Sequence, residues 1–394
     1  MRILLLSETI EGADAEPASR VRYVTAKALS GRGHDVTFIH PSNCSARRSV
    51  RAERDGLQII STPGVLPERW RRGGFSIIDA ISKSFYTLFG KYDVIHVTGG
   101  HRPAQLVPCL VGKWLRGSAI IDEWWEWFGI EGIGGTRKGL VGKVISRYDS
   151  LLELPSKRFY DGVIAISGVL KRRLGTSSNV IVVHGGAEPL PTECHDMIEA
   201  RDQLGLGKEL FIVGLSSFAE ADLEDNVIFL EAFERLAREY DHIRLFVTGK
   251  RSFVRECFGG TSYEDKIVYP GWLSFEDYNR YLCACSLFVL PLRNTPRNAG
   301  RWPNKIGDYV RANRPIISNP TGDIADLFSC YRIGVTCEES GDGFYDALRA
   351  LVEEGAEVTK HCGDSFFVAT EVLSFDGRIN SILQFYQQCL RARK

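Results

Sequence analysis

The stretch that decides the fold runs from Leu210 to Val247: LFIVGLSSFAEADLEDNVIFLEAFERLAREYDHIRLFV. It opens on one apolar run, Leu210–Val213, and closes on another, Ile243–Val247. Between them Phe229, Phe233, Leu236 and Tyr240 recur at i, i+4, i+7 and i+11, which places them on one face of a helix. Asp225 stands where a helix cap is expected. The first flanking run is apolar throughout, and the second is interrupted only by Arg244. Most runs of this kind in the chain are continuously apolar and do not alternate. Strands buried on both faces look like that, and parallel sheets covered by helices bury both faces. The stretch therefore reads as strand, helix, parallel strand.

Working outward, the same alternation continues on both sides. Upstream lie Ile3–Leu6, Val36–Ile39, Leu57–Ile60, Val94–Val97, Ala119–Ile121, Val163–Ile166 and Val180–Val183. Downstream lie Ile267–Tyr269, Leu287–Leu290 and Pro315–Ser318. Strands alternating with helix-length segments predict an α/β doubly wound architecture. The series breaks over 185–208, where Gly185-Gly186-Ala187-Glu188-Pro189-Leu190-Pro191 reads as a linker. This predicts one domain at 1–188, a second at 205–375, and a terminal helix at 376–394.

Composition narrows the functional classes. The 394 residues are 44% hydrophobic and 25% charged, as in ordinary globular proteins. The formal net charge of zero argues against a general nucleic-acid binder, which would be strongly basic. No apolar window approaches the roughly 18 residues of a spanning helix. The start, MRILLLSETIEG, turns acidic too soon for a secretory signal and reads as a buried first strand. The ten Cys are dispersed, with no C-x-x-C, so no zinc site is expected. They read as small buried hydrophobes of a reducing compartment.

The zero sum hides an asymmetry. Residues 1–190 carry 26 Lys and Arg against 18 Asp and Glu, and residues 191–394 carry 23 against 31. Much of the basic excess lies in Arg47, Arg48, Arg51, Arg54, Arg69, Arg71 and Arg72. Phe75–Phe89 follows, with Phe75, Ile78, Ile81, Phe85 and Phe89 forming an apolar stripe at helical spacing. Basic residues beside an amphipathic helix suit peripheral contact with an anionic membrane. A solvated basic face beside an ordinary packed helix is the plainer alternative. The expected location is cytoplasmic, on the inner face of the membrane when membrane-bound.

Ligands of doubly wound sheets sit at the carboxyl ends of the strands. The loops there lack G-x-x-x-x-G-K-[ST], G-x-G-x-x-G after Leu6, and G-x-S-x-G, which argues against a P-loop NTPase, an NAD enzyme and an α/β-hydrolase. Three places remain. After the first strand, a loop leads into a helix with Arg20 and Arg22 in its first turns, a place for an anion such as phosphate or an ordinary surface loop. Asp122-Glu123-Trp124-Trp125-Glu126-Trp127-Phe128 sets three carboxylates among four aromatics. Aromatic faces and carboxylates suit sugar rings, and a carboxylate there can act as a general base, so Asp122 and Glu123 are the candidate catalytic residues. The alternative is an aromatic core with acidic caps. After Leu287–Leu290 come Arg293, Arg297, Arg301, Asn304, Lys305 and Asp308. Cations hold phosphates, and a carboxylate one turn on holds ribose hydroxyls, so this segment reads as a nucleotide diphosphate site.

These residues carry a resemblance spread in order over nearly the whole chain. Leu29-x-x-Arg32-Gly33-His34-Asp35-Val36-Thr37 resembles the L-x-x-x-G-H-E-V-T of family 4 glycosyltransferases. Asp93–Val97, Val163–Ser167 with Leu170-Lys171, Val182–Ala187, Pro270–Leu273, Leu287–Leu292 and Lys305–Ser318 resemble further motifs of that family. The resemblance implies a GT-B fold, two Rossmann-like domains with a cleft between them. It implies retaining transfer of a sugar from a nucleotide diphosphate sugar to an acceptor, with no metal and no cofactor. The donor would meet Arg20, Arg297, Arg301, Asn304, Lys305 and Asp308; the acceptor would meet the first domain.

The chain departs from the family pattern. Of two glutamates eight positions apart, the second aligns with Asp308 and the first falls at Gly300. The Arg and Lys that follow the first strand of the second domain are replaced by Gly214–Phe218 and the acidic run Ala221–Asn226. Arg301 and Lys305 are placed to supply the missing charge. A sugar epimerase or phosphorylase, or a non-catalytic sugar-binding protein, are the other functions the same fold would serve.

Overall fold

A computed structural model of the chain describes residues 1–9, 17–42, 47–65, 72–175, 179–188, 196–271 and 273–393; the side chains of 17–20 and 72 are outside the description. The chain divides into two compact units. Unit 1 comprises Met1–His184 with Arg378–Lys394, and unit 2 comprises Gly185–Gly377.

Unit 1 holds an eight-stranded sheet: β1 (Arg2–Leu6), β2 (Asp35–Pro41), β3 (Val50–Arg54), β4 (Leu57–Thr62), β5 (Val94–Thr98), β6 (Ala119–Trp124), β7 (Gly162–Ala165) and β8 (Val180–Val182). The strand order is β3-β4-β2-β1-β5-β6-β7-β8. All neighbours are parallel except β3 and β4, an antiparallel edge pair. Helices α1 (Pro17–Gly31), α2 (Ile77–Phe89), α3 (Pro103–Arg116), α4 (Gly139–Lys157) and α5 (Gly168–Leu174) connect them. The crossovers through α2, α3 and α4 all step the same way along the sheet, so their right-handedness puts the three helices on one face.

Unit 2 holds β9 (Phe211–Phe218), β10 (Ile243–Gly249), β11 (Ile267–Val268), β12 (Leu287–Leu290), β13 (Ile316–Ser318) and β14 (Gly334–Thr336). They form one parallel sheet in the order β11-β10-β9-β12-β13-β14. Its helices are α6 (Met197–Leu204), α7 (Leu223–Glu239), α8 (Arg251–Phe258), α9 (Phe275–Ala284), α10 (Pro296–Gly300), α11 (Lys305–Arg311), α12 (Asp323–Cys330) and α13 (Gly341–Glu354). The last long helix, α14 (Phe375–Arg391), gives most of its length to unit 1. The core of unit 2 joins Val213, Leu215 and Val247 of the sheet to Phe229, Phe233 and Leu236 of α7, the face read from the helical spacing. The strand order reverses between β9 and β12, which makes their carboxyl ends a topological switch point.

Four local readings differ from the structure. The helix expected from Asn226 starts at Leu223, and Asp225 is no cap; its carboxylate faces Asn298 and Arg301. The strand expected to end at Ile121 continues to Trp124, because Asp122 and Glu123 pair on both sides, with β5 and with β7. The strand β3, VRAER, is exposed at every residue; a polar edge strand shows no apolar run to read. Cys109, Cys285, Cys362 and Cys389 are buried free thiols, whereas Cys283 is disulfide-bonded, so the cysteines are not uniformly isolated hydrophobes.

Candidate functional site at the switch point of unit 2

The site in unit 2 is built by three segments. The end of β9 turns sharply at Ser217, whose φ of 54° is unusual for a residue with a side chain. Its amide is held by Thr248 Oγ1 at 2.8 Å. Just before it, Ser216 donates from its amide (2.9 Å) and its hydroxyl (3.0 Å) to the Tyr309 hydroxyl oxygen. The buried Tyr309 ring stacks on Phe288 of β12 with centroids 4.2 Å apart. These contacts fix α11 against the ends of both strands and so place Lys305 and Asp308.

Two arginines meet one carboxylate there, with Lys305 close enough to act on it. Asp222 accepts from Arg301 Nη1 at 2.7 Å and from Arg297 Nη2 at 3.0 Å. Arg301 Nη2 also donates to Asp225 at 3.2 Å, and Arg297 Nη1 to the Ala221 carbonyl at 2.7 Å. Asn298 Nδ2 donates to Asp225 at 2.7 Å. Lys305 Nζ donates to the Ser216 carbonyl at 3.3 Å. Burial alone would raise the Asp222 carboxyl, but the positive charges of Arg301, Lys305 and Arg297 hold it below the usual range. Burial lowers the Lys305 ammonium, and the neighbouring Arg301 adds to that against the pull of Asp222. Three cations against two carboxylates leave a surplus of one positive charge, and the Asp222, Arg297 and Arg301 side chains remain partly open to solvent. A surplus of this kind attracts an anion whose oxygens can take over the guanidinium hydrogen bonds.

Asp308 lies one turn along α11, where its carboxylate accepts from Tyr278 Oη (3.1 Å) and from Arg311 Nη2 (3.0 Å). It keeps 29% of its side-chain exposure, enough for a hydroxyl to reach it. Asn304 is exposed at the start of α11 and makes no capping bond. The helix that follows has only seven residues, so anion binding rests on side chains rather than on a long helix dipole.

The structure therefore brings Arg297, Arg301, Asn304, Lys305 and Asp308 to one end of unit 2. Arg20 falls in the first turn of α1, and its side chain lies outside the described residues. Asp122 and Glu123 sit elsewhere and differently. Both are buried in the central strand β6 of unit 1. Asp122 pairs with Lys157 and accepts the Gly100 amide at 3.1 Å. Glu123 accepts from Arg378 Nη2 at 2.7 Å and lies 3.2 Å from His96 Nε2. Burial would raise the Glu123 carboxyl, but Arg378 and His96 outweigh it and hold it at about 2. The expectation of two carboxylates open to a sugar is corrected: β6 runs through them, and each is closed off by an internal cation. The sequence reading missed Asp222 as the partner of the arginines. Its signal was the i, i+3 pair Asp222 and Asp225 facing the i, i+4 pair Arg297 and Arg301. Among the described residues no group of three His, Cys, Asp or Glu is placed to hold a metal ion.

The whole chain superposes on sucrose-phosphate synthase from Thermosynechococcus elongatus with a TM-score of 0.73, at 13% identity, covering 100% of each chain. The catalytic domain of starch synthase IV from Arabidopsis thaliana, bound to ADP and acarbose, gives 0.69 at 16% identity, covering 99% of each. Anabaena HepE in complex with UDP gives 0.67 at 13% identity, covering 98% of this chain and 100% of that one. The fold is GT-B. Residues 209–354 match the family model described as glycosyl transferases group 1. That segment contains all of the unit 2 site. By sequence, no curated protein matches the chain.

Proposed function

We propose that the chain is a retaining glycosyltransferase that moves a sugar from a nucleotide diphosphate sugar to an acceptor, without a metal ion or cofactor. The observation that carries this reading is the convergence of Arg297, Arg301 and Lys305 at the switch point, inside the segment that matches the family model. The diphosphate oxygens would replace Asp222 on the two guanidinium groups. Lys305 and Arg301 would then stabilise charge on the departing nucleoside diphosphate, the task a metal performs in other sites. Asp308 would accept from a ribose hydroxyl, with Asn304 beside it. Asp122 and Glu123 act as positioning residues; Asp122 holds the Gly100 amide after β5. The acceptor is a saccharide, a lipid-linked saccharide or a natural product. Calorimetric titration with UDP-, GDP- and dTDP-sugars tests the reading. Binding of one of them is expected, and no heat from any would overturn it.

A second reading is a non-catalytic nucleotide-sugar binder. It is favoured by Asp222 and Asp225, which already neutralise most of the site's cationic charge. Release of free nucleoside diphosphate from the donor, even slow hydrolysis without acceptor, decides for the enzyme.

A further inference from the structure

Two helices of unit 1 are built inside out. The 13-residue helix α2 carries only two charged side chains, Asp79 and Lys83, and both are buried, Lys83 completely. They pair with each other at 2.9 Å, Lys83 donates to the Ser7 carbonyl at 2.7 Å, and Thr62 donates to Asp79. The helix therefore satisfies its charges against the sheet. Its outward face is Ile77, Ile81, Phe85 and Phe89, which are 54–71% exposed and spaced four apart. The spacing keeps them on one side of the helix.

The helix α4 repeats the inversion. Ser146, Asp149, Glu153 and Lys157 face inward at i, i+3, i+7 and i+11. Asp149 meets His101, Arg102 and Arg137; Glu153 accepts from Trp124 Nε1 and the Phe128 amide; Lys157 meets Asp122. Outward stand Leu140, Val141, Val144 and Leu151. Between these two helices on the same face lies α3, which exposes Trp114 at 66% and Leu115 at 64%. A soluble surface does not place its large apolar groups outward on three neighbouring helices.

The ionisable side chains exposed on α2, α3 and α4 are Arg116, Lys143 and Arg147, all cationic. The edge strand β3, which exposes Arg51 and Arg54 against the single carboxylate of Glu53, borders the same face, with the Arg51 guanidinium 5.2 Å from the centre of the Tyr86 ring of α2. Apolar side chains set among cations, with carboxylates withdrawn into the interior, complement a layer of anionic headgroups over hydrocarbon. A protein partner would also call for exposed hydrogen-bonding groups between the apolar ones. Among the described residues no helix is long and apolar enough to cross a membrane. We infer that the α2–α3–α4 face of unit 1 is a docking surface for an anionic bilayer, on which the protein lies without spanning it. This goes beyond the donor site and does not depend on it.

Flotation of the full chain with vesicles tests the inference. One set is phosphatidylcholine alone; the other contains about three parts in ten phosphatidylglycerol. The wild type should float with the anionic vesicles and should be released as salt rises. The double change I81E/F85E should lower this partition at least about tenfold, and K143E/R147E should do the same at low salt. V227E, an exposed apolar position of unit 2, should leave it unchanged. Unaltered thermal melting by circular dichroism keeps the comparison to folded protein. A wild type that stays in the soluble fraction with both vesicle sets would overturn the inference. So would sedimentation showing a dimer that both double variants dissociate and that vesicles do not compete away, which assigns the face to a second copy of the chain.

Discussion

Asp122 in unit 1 and Asp222 in unit 2 both stand at the carboxyl side of a parallel strand, and they do opposite things. Asp122 meets one cation, Lys157, in a sealed interior, and the pair is complete. Asp222 meets two arginines, with Lys305 nearby, at a place still open to solvent. The first arrangement has no capacity for a ligand. The second keeps a positive surplus and has guanidinium bonds that an incoming anion can take over. The difference teaches that a carboxylate at the end of a strand is no site by itself; the balance of its cations and its exposure decide. The same contrast runs through both units. Both units have an apolar core, but in unit 1 the helices α2 and α4 draw their carboxylates inward and show apolar side chains outward, whereas unit 2 gathers charge at the switch point.

Four experiments press on this contrast. The largest effect should come from Lys157→Met, which leaves Asp122 buried without its cation. Breaking one side of a buried pair costs about 3–5 kcal/mol, read as a lower urea midpoint for the chain. An unchanged midpoint would show that Asp122 is not sealed. The second concerns acid. The Glu123 carboxyl is held at about 2 against an ordinary 4.5, so its ionised form stabilises the fold at pH values above 4.5. That contribution should fade as pH falls from 4.5 toward 2, by about 3 kcal/mol at 1.36 kcal/mol per unit. Comparing the pH dependence of stability in wild type and Glu123→Gln isolates it; parallel curves would remove the charge network from the account.

The other two act on unit 2. Lys305→Ala should weaken nucleotide binding at least about tenfold, or 1.4 kcal/mol, in calorimetry. An unchanged affinity would reject its phosphate role. Asp222→Asn should do the reverse. It removes the internal competitor for Arg297 and Arg301, so nucleotide should bind about threefold tighter at low salt, with less gain at high salt. Weaker binding would mean that Asp222 orients the arginines for the ligand instead of competing with it.

Much of the fold was legible because most of its strands are buried on both faces and read as unbroken apolar runs. What escaped was what burial does not mark. The strand β3 is a solvated edge with no apolar signal, and β14 is three residues long. The far end of β6 hid because buried Asp122 and Glu123 look like loop residues until Lys157 and Arg378 are known to face them. The helix α2 was visible as a stripe, but periodicity does not tell which side of a helix faces the sheet. It is the chain's contacts at long range, Lys83 to Ser7 and Asp79 to Thr62, that turn its charges inward. The cations of the unit 2 site were legible from their spacing. Their carboxylate partner was not, since Asp222 lies 75 and 79 residues away in sequence from the arginines it binds.

The return of α14 to unit 1 bears on how the chain is made. Arg378 supplies the counter-charge of Glu123, and Tyr386 the hydroxyl at His96. Both leave the ribosome only after all of unit 2. At about 10 residues per second, the 193 residues from Gly185 to Gly377 impose a wait of roughly 20 s. Throughout that interval Glu123 of the nascent first unit lacks its guanidinium partner and keeps only His96 beside it. Unit 1 is thus closed by residues that follow unit 2 along the chain, and its buried charge network is complete only once they arrive.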